Sequence, residues 1–420
     1  MPHTNHCAIF VLLSCMIAVS VAVSSNNWGN SRRDSYHSGF ASAVSPSFVP
    51  AKNWTVTLST YPEGVISNPV VDNTGNIYYA IMGADKSIVR IDSYTAGGSF
   101  RWKSTLQLVS LYSLLFLQSE NVLIAVGGPI YSGYTAFWTV SVNDGTAKAG
   151  GLLLGAGTRA VLSPSDNSLY TAIDNFVFKT DFLGKNIMWK TELHVNTSVS
   201  VLSVTPDGES LIAVAILCRP CSQPTYLYGI DAATGKPTWQ NSAPSERDYR
   251  VKNAVYNPVS DLWILDNWNL SFAAVSPNNG TVLYNFVSEG VYCFSAQLGA
   301  IDPVSGQIYG ICGEFYTSFD ANGKWLWNGG QVIGNNGGII PSISVRSPYS
   351  QGANVMFGTG AQSNGYLWGF YPDGKLAAQI AVQTNPVQNI IDTFIIGTNV
   401  YVRYFSGVTV DALQCYTLSF

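Results

Sequence analysis

The chain offers few residues whose types and spacing could do chemistry. Cys218-Arg-Pro-Cys221 has the spacing of a redox-active pair. Such a pair needs a helix N-terminus or a nearby cation to hold a thiolate. Here it follows the apolar run Leu211 to Leu217 and contains Pro220, so a structural disulfide pinning a loop is expected. Cys293 and Cys312 flank a turn signal at Asp302-Pro-Val-Ser305. Folded about that turn, they would face each other across a hairpin and form a second disulfide. Cys415 is left over and is expected to be buried. His37 and His194 have no partner at metal-ligand spacing. No G-x-S-x-G elbow is present. Gly334-Asn-Asn-Gly-Gly338 and Gly127-Gly128 lack the Lys and strand-to-helix setting of a phosphate loop, so they read as turns.

The elements that must position these residues belong to an exported chain. Ala8 to Val23 is an apolar run, and Ala22-Val23-Ser24 supplies small residues for cleavage. Residues 1–24 are therefore expected to be a signal peptide, and residues 25–51 a leader before the folded region. An uncleaved anchor is the competing reading. Cleavage would leave no membrane span and a secreted product. It would also leave five cysteines in an oxidising compartment. Sequons at Asn53, Asn196, Asn269 and Asn279 fit a glycosylated surface. Charged residues are only 11% of the chain and the net charge is −4. With no basic block, nucleic acid is excluded as a partner.

The dominant signal is a repeat. A loop followed by a short β-rich run recurs at Ile77, Val122, Leu169, Leu211, Leu262, Ile308, Val355 and Val400. The gaps are 45, 47, 42, 51, 46, 47 and 45 residues. Each run leads to an Asp- or Asn-rich turn, a Gly and often a Trp, most clearly in Ile230-Asp-Ala-Ala-Thr-Gly-Lys-Pro-Thr-Trp239. Asp bonds its own backbone there, and Gly supplies the positive φ of a tight turn. Four-stranded units of this length cannot bury both faces alone, but can do so when stacked radially. The expected fold over residues 52–420 is an all-β, eight-bladed propeller of four-stranded antiparallel blades. The orphan strand Asn53 to Leu58 would close the last blade beside Tyr416 and remove an open edge.

At these residues the chain resembles the pyrroloquinoline-quinone (PQQ)-like repeat propellers of the quinoprotein alcohol dehydrogenase-like superfamily. The segment from Ile230 to Trp239 looks like their repeat signature. The leader Trp28-Gly-Asn-Ser-Arg-Arg-Asp-Ser-Tyr-His-Ser-Gly-Phe40 is similar to the segment that precedes their first blade. The superfamily also includes an outer-membrane assembly lipoprotein of eight such blades. For an enzyme, the resemblance implies quinone on the propeller axis, a vicinal Cys-Cys disulfide, a stacking Trp, calcium held by Glu and Asn, and an Asp acting as base. No adjacent Cys-Cys exists here. Trp263 and Trp268 flank Asp266 and Asn267, which could supply an Asp and an Asn, but a hairpin loop explains them more simply.

The leading functional expectation is a secreted, non-catalytic scaffold that binds a protein or glycan at a propeller face or in the axial tunnel. The alternatives are a PQQ-dependent oxidoreductase and a carbohydrate-active or lectin-like propeller. No catalytic residue and no metal ligand is assigned.

Overall fold

The computed structural model describes residues 62–130, 133–217, 225–243, 253–268, 271–289, 296–312 and 315–331 continuously. It also describes residues 251 and 293, and the strands at 40–42, 49–60, 343–347, 355–359, 366–370, 376–381, 388–396, 399–406 and 410–419. Of the side chains on the strands at 40–42 and 343–381 nothing is said.

Every described element is a β-strand, and the strands form antiparallel blades. Seven are described with their side chains. They span residues 64–106, 108–154, 157–192, 197–243, 254–286 and 296–331, with a seventh made from residues 388–419 and the N-terminal strand Val49–Thr60. The expectation of eight uniform blades is therefore corrected to seven. Where a further repeat was expected, strands between residues 343 and 381 form a five-stranded mixed sheet. Its extra member is the leader strand Phe40–Ser42, which runs parallel to Ile343–Ser347. A local repeat in sequence cannot announce that a distant leader will join it.

Burial follows strand position. Second and third strands such as Leu169–Ile173, Ser271–Val275 and Ile308–Cys312 are buried along their whole length. They are covered on both faces and so read as continuous apolar runs. Outer strands alternate instead, as in Phe100–Leu106, because one face meets solvent. The first strands lie innermost: Leu108–Leu117, Gly157–Leu162, Thr197–Val204 and Ala254–Asn257 pack in succession.

The repeat Trp locks one blade to the next. Trp102 Nε1 donates to Val142 O at 3.0 Å, Trp189 Nε1 to Ala232 O at 3.1 Å, and Trp239 Nε1 to Pro277 O. Each ring lies flat on a turn glycine of the next blade: Gly145, Gly235 and Gly280. These glycines have φ of 76°, 73° and 68°, and a Cβ there would meet the indole at 2.7, 2.5 and 2.2 Å. Glycine is thus required twice over, for backbone conformation and for ring contact.

The same device joins the chain ends. Val49–Thr60 pairs antiparallel with Val410–Ser419, with Trp54 opposite Cys415 and Lys52 opposite Tyr416. Trp54 then lies on Gly98 of the first blade. Arg403 of the seventh blade pairs with Asp411 at 2.7 Å and donates to Val65 O and Ser67 O of the first.

The joints after the second and fifth blades differ; in the latter, Tyr284 and Phe286 of Val282–Phe286 cover Gly323. The outer strand Ala147–Leu154 carries no Trp. Phe137 covers Gly184, and Gly150 and Gly151 let the backbones meet, with Gly151 N donating to Leu183 O at 2.7 Å.

Candidate functional site

The innermost strands meet around the axis, and several carry one extra residue there. Register shifts fall between Leu111 and Ser113, Gly157 and Arg159, Val199 and Val201, and Leu298 and Ala300. The bulged residues are Tyr112, Thr158, Ser200 and Gly299. A bulge turns side chains out of the regular pleat. The hydroxyls of Thr158 and Ser200 donate to Ala172 O and Val214 O of their own blades.

Asp266 is fully buried on the strand Leu262–Trp268. Its Oδ1 accepts from Asn253 N at 2.7 Å. Its Oδ2 accepts from Asn253 Nδ2 at 2.5 Å and from Leu298 N at 3.2 Å. The carboxylate therefore ties the innermost strands of the fifth and sixth blades. It also acts electrostatically on Arg159 of the third blade. The fourth blade lies between these two along the ring, so their fields meet across the axis. Burial pushes the Arg159 guanidinium below its ordinary pKa, and Asp266 partly offsets that. Arg159 lies on the innermost strand Gly157–Leu162 and is largely buried. Tyr112 packs over the glycines beside it: a Cβ on Gly157 would lie 2.8 Å from the Tyr112 ring, and one on Gly128 would lie 2.9 Å from its hydroxyl.

These positions revise several sequence readings. Asp266 is on a strand, not in a hairpin loop. Trp263 is buried within the blade core and so does not present a flat ring to the axis. Gly127 and Gly128 belong to the strand Val122–Pro129, not a turn, and a Cβ on Gly127 would fall 2.2 Å from Ser110 O. The Cys293–Cys312 disulfide is present. However, Cys293 precedes the strand Ala296–Ile301, and Cys312 pairs in register with Ala296, because the turn is closed by Asp302 N donating to Gln307 O and is centred later than Asp302 to Ser305. Cys415 is buried and free, and burial pushes its thiol pKa up to about 12. Asn196 and Asn279 occupy exposed turns. Asn53 is exposed on the closing strand, its amide donating to Thr417 Oγ1. His194 is exposed and stacks on Tyr226 with ring centroids 4.5 Å apart. Cys218, Cys221, Asn269, His37, Gly334 to Gly338 and residues 1–24 lie outside the described residues.

Arg159, Asn253 and Tyr112 were missed by motif reading. The signal available was a lone Arg within the otherwise apolar run Arg159-Ala-Val-Leu162.

The described residues do not fit a quinone–calcium centre. The buried Asp266 is held by three N–H donors, where the cofactor requires a cluster of oxygen ligands around a cation. Among the described residues, no group of three or more His, Cys, Asp or Glu could hold a metal ion. No helix among them is long and apolar enough to cross a membrane.

A second feature lies on the outer edge of the second blade. Leu152 and Leu154 are 63% and 76% exposed. Tyr134 pairs with Leu154 across the strands and is also exposed, as is Ile130 on the adjoining turn. Leu153, between the two leucines, points inward and is buried. The alternation is that of an outer strand, but with apolar residues on its solvent face.

No protein-family model matches the chain, and no curated protein matches it. Among solved structures it is similar to BamB from Moraxella catarrhalis. The TM-score is 0.53 at 12% identity, covering 88% of this chain and 98% of that one. The shared feature is the β-propeller fold. The chain is also similar to the computationally designed Ika8 protein, with a TM-score of 0.53 at 10% identity over 89% of this chain and 99% of that one.

Proposed function

We propose that this protein is an exported, non-catalytic propeller scaffold that binds a protein partner through the outer edge of its second blade. The carrying observation is the exposed apolar group of Leu152 and Leu154 on the edge strand, Tyr134 on the strand paired with it and Ile130 on the adjoining turn. Contiguous exposed apolar groups on a soluble fold mark interaction sites. This surface adjoins a joint without a tryptophan lock. The held state of Asp266 supports a structural rather than a proton-transfer role for that carboxylate. The apolar run at residues 8–23 supports export, and the Ile230–Trp239 signature supports the PQQ-like repeat.

The test places a photo-crosslinking residue at position 154 in the secreting host, identifies the captured protein and measures its affinity for the purified propeller. Leu152→Glu with Leu154→Glu is expected to weaken binding at least about ten-fold, since two buried leucines contribute several kcal/mol. An affinity unchanged by both substitutions defeats the reading. The purified protein mixed with quinone and calcium is expected to give no dye reduction.

A further inference from the structure

Independently of the outer edge, we infer that the axis-facing edge of the strand Ile343–Ser347 is a docking site for an extended peptide, with the leader strand Phe40–Ser42 as its tethered occupant. The sheet runs in the order Phe40–Ser42, Ile343–Ser347, Val355–Thr359, Tyr366–Phe370 and Leu376–Ala381. Ile343–Ser347 packs against Ala296–Ile301 and Gln388–Ile396, the first strands of the blades on either side. It therefore belongs to the inner ring of first strands. Val355–Thr359 takes one of its edges, so the other faces the axis. The leader adds to that axial edge, with Phe40 opposite Val345, Ala41 opposite Arg346 and Ser42 opposite Ser347.

The addition is foreign to the repeat. Neighbours within this blade are antiparallel, whereas the leader pairs in parallel. The first strands Gly157–Leu162, Thr197–Val204 and Ala254–Asn257 end their sheets and carry no such neighbour. An extended segment laid on a sheet edge is held by main-chain hydrogen bonds, the way sheets capture peptides of other chains. Three residue pairs make a short ladder, and parallel pairing is the weaker kind. The tether compensates. Six residues separate Ser42 from Val49, where the closing strand begins. So short a tether keeps the leader at an effective concentration on the order of millimolar. A partner reaches the edge by displacing it. The leader brings Gly39, Ala41, Ser42 and Ala43 beside Phe40. The partner is therefore assigned as an extended segment of another protein, rich in small uncharged residues.

The experiment uses the full chain and a fluorescent peptide with the sequence of residues 34–46. Ala41→Pro removes an N–H from the middle of the leader strand and disfavours its pairing. A leader docked about nine-tenths of the time leaves about one-tenth of the edges free, which weakens the apparent affinity for a free peptide about ten-fold. Ala41→Pro is therefore expected to bind the peptide at least about ten-fold more tightly than the unmodified chain. Its backbone amides over residues 343–347 should exchange faster, and the peptide should restore their protection. Peptide affinities within about two-fold of each other, no binding in either protein, or unchanged exchange overturns the inference. Ala41→Cys with Arg346→Cys tests the register, since directly paired residues lie within disulfide reach. A cross-link within one chain is expected. A cross-link between two chains, or none, overturns the tethered occupancy. Should Ala41→Pro fail to fold, the cross-linked chain replaces it: peptide binding at least about ten-fold weaker than in the unmodified chain supports the inference, and equal binding overturns it.

Discussion

Removing one indole tests whether the blades are held as the structure describes. Trp102 is 9% exposed, lies on Gly145 of the next blade, and has the Tyr78 ring 5.6 Å away at 38°. Its Nε1 donates to Val142 O at 3.0 Å. Trp102→Ala removes the packed ring and leaves a cavity at the joint, which costs about 3–5 kcal/mol. Trp102→Phe keeps most of the apolar contact and removes the hydrogen bond. Val142 O stays satisfied, because Arg101 Nη2 also donates to it at 3.0 Å. The Phe variant should therefore lose only about 1–2 kcal/mol, the value of one hydrogen bond plus imperfect filling. Urea unfolding followed by circular dichroism at constant m-value gives both numbers. Equal losses for the two variants would refute the packing argument. A loss below about 1 kcal/mol for Trp102→Ala would do the same, since the joint would then not depend on the ring.

Arg403→Met should cost about 3–5 kcal/mol by leaving Asp411 buried without its cation, and adding Asp411→Leu should recover part of it; thermal melts of the single and double variants check this. Replacing Cys293 and Cys312 with Ala should lower stability by about 3 kcal/mol, because the bond closes a 19-residue separation; denaturant midpoints with and without the bond measure it. Burial of Asp72 raises its carboxyl pKa, but hydrogen bonds from Tyr78, Asn76 and Thr74 outweigh burial and leave it below the usual carboxylate range. Its stabilising contribution is therefore full above the unfolded-state pKa of about 3.9 and fades as pH falls through the folded value. Asp72→Asn should flatten that part of the acid limb in melts between about pH 5 and 2.

The turn from Asp231 to Gly235 was legible because its chemistry is local. Asp231 Oδ1 accepts from Thr234 N and Oγ1, both at 2.7 Å, and Gly235 takes the positive φ. The docking of Trp239 on a neighbouring blade was legible because the repeat spaces Trp and Gly regularly. The ring-closing pairing of Val49–Thr60 with Val410–Ser419 was legible because one unit lacked a strand and the other end had one spare. The disulfide partners were legible, but their register was not. The turn extends to Gln307, whose carbonyl accepts from Asp302 N, so the ladder starts at Ile301 opposite Ile308 and Cys293 falls beyond its end.

From its own residues, then, the chain determined strands, turns, the all-β class and the stacking of one sheet on the next, since each depends on neighbours within a few dozen positions. The tertiary structure alone decided the count of seven described blades, the entry of Phe40–Ser42 into a mixed sheet, and the meeting of Arg159 with Asp266. Those two charges lie 107 positions apart and have a whole blade between them along the ring. Only closure about an axis lets their fields overlap, and closure is a property of the ring rather than of any repeat.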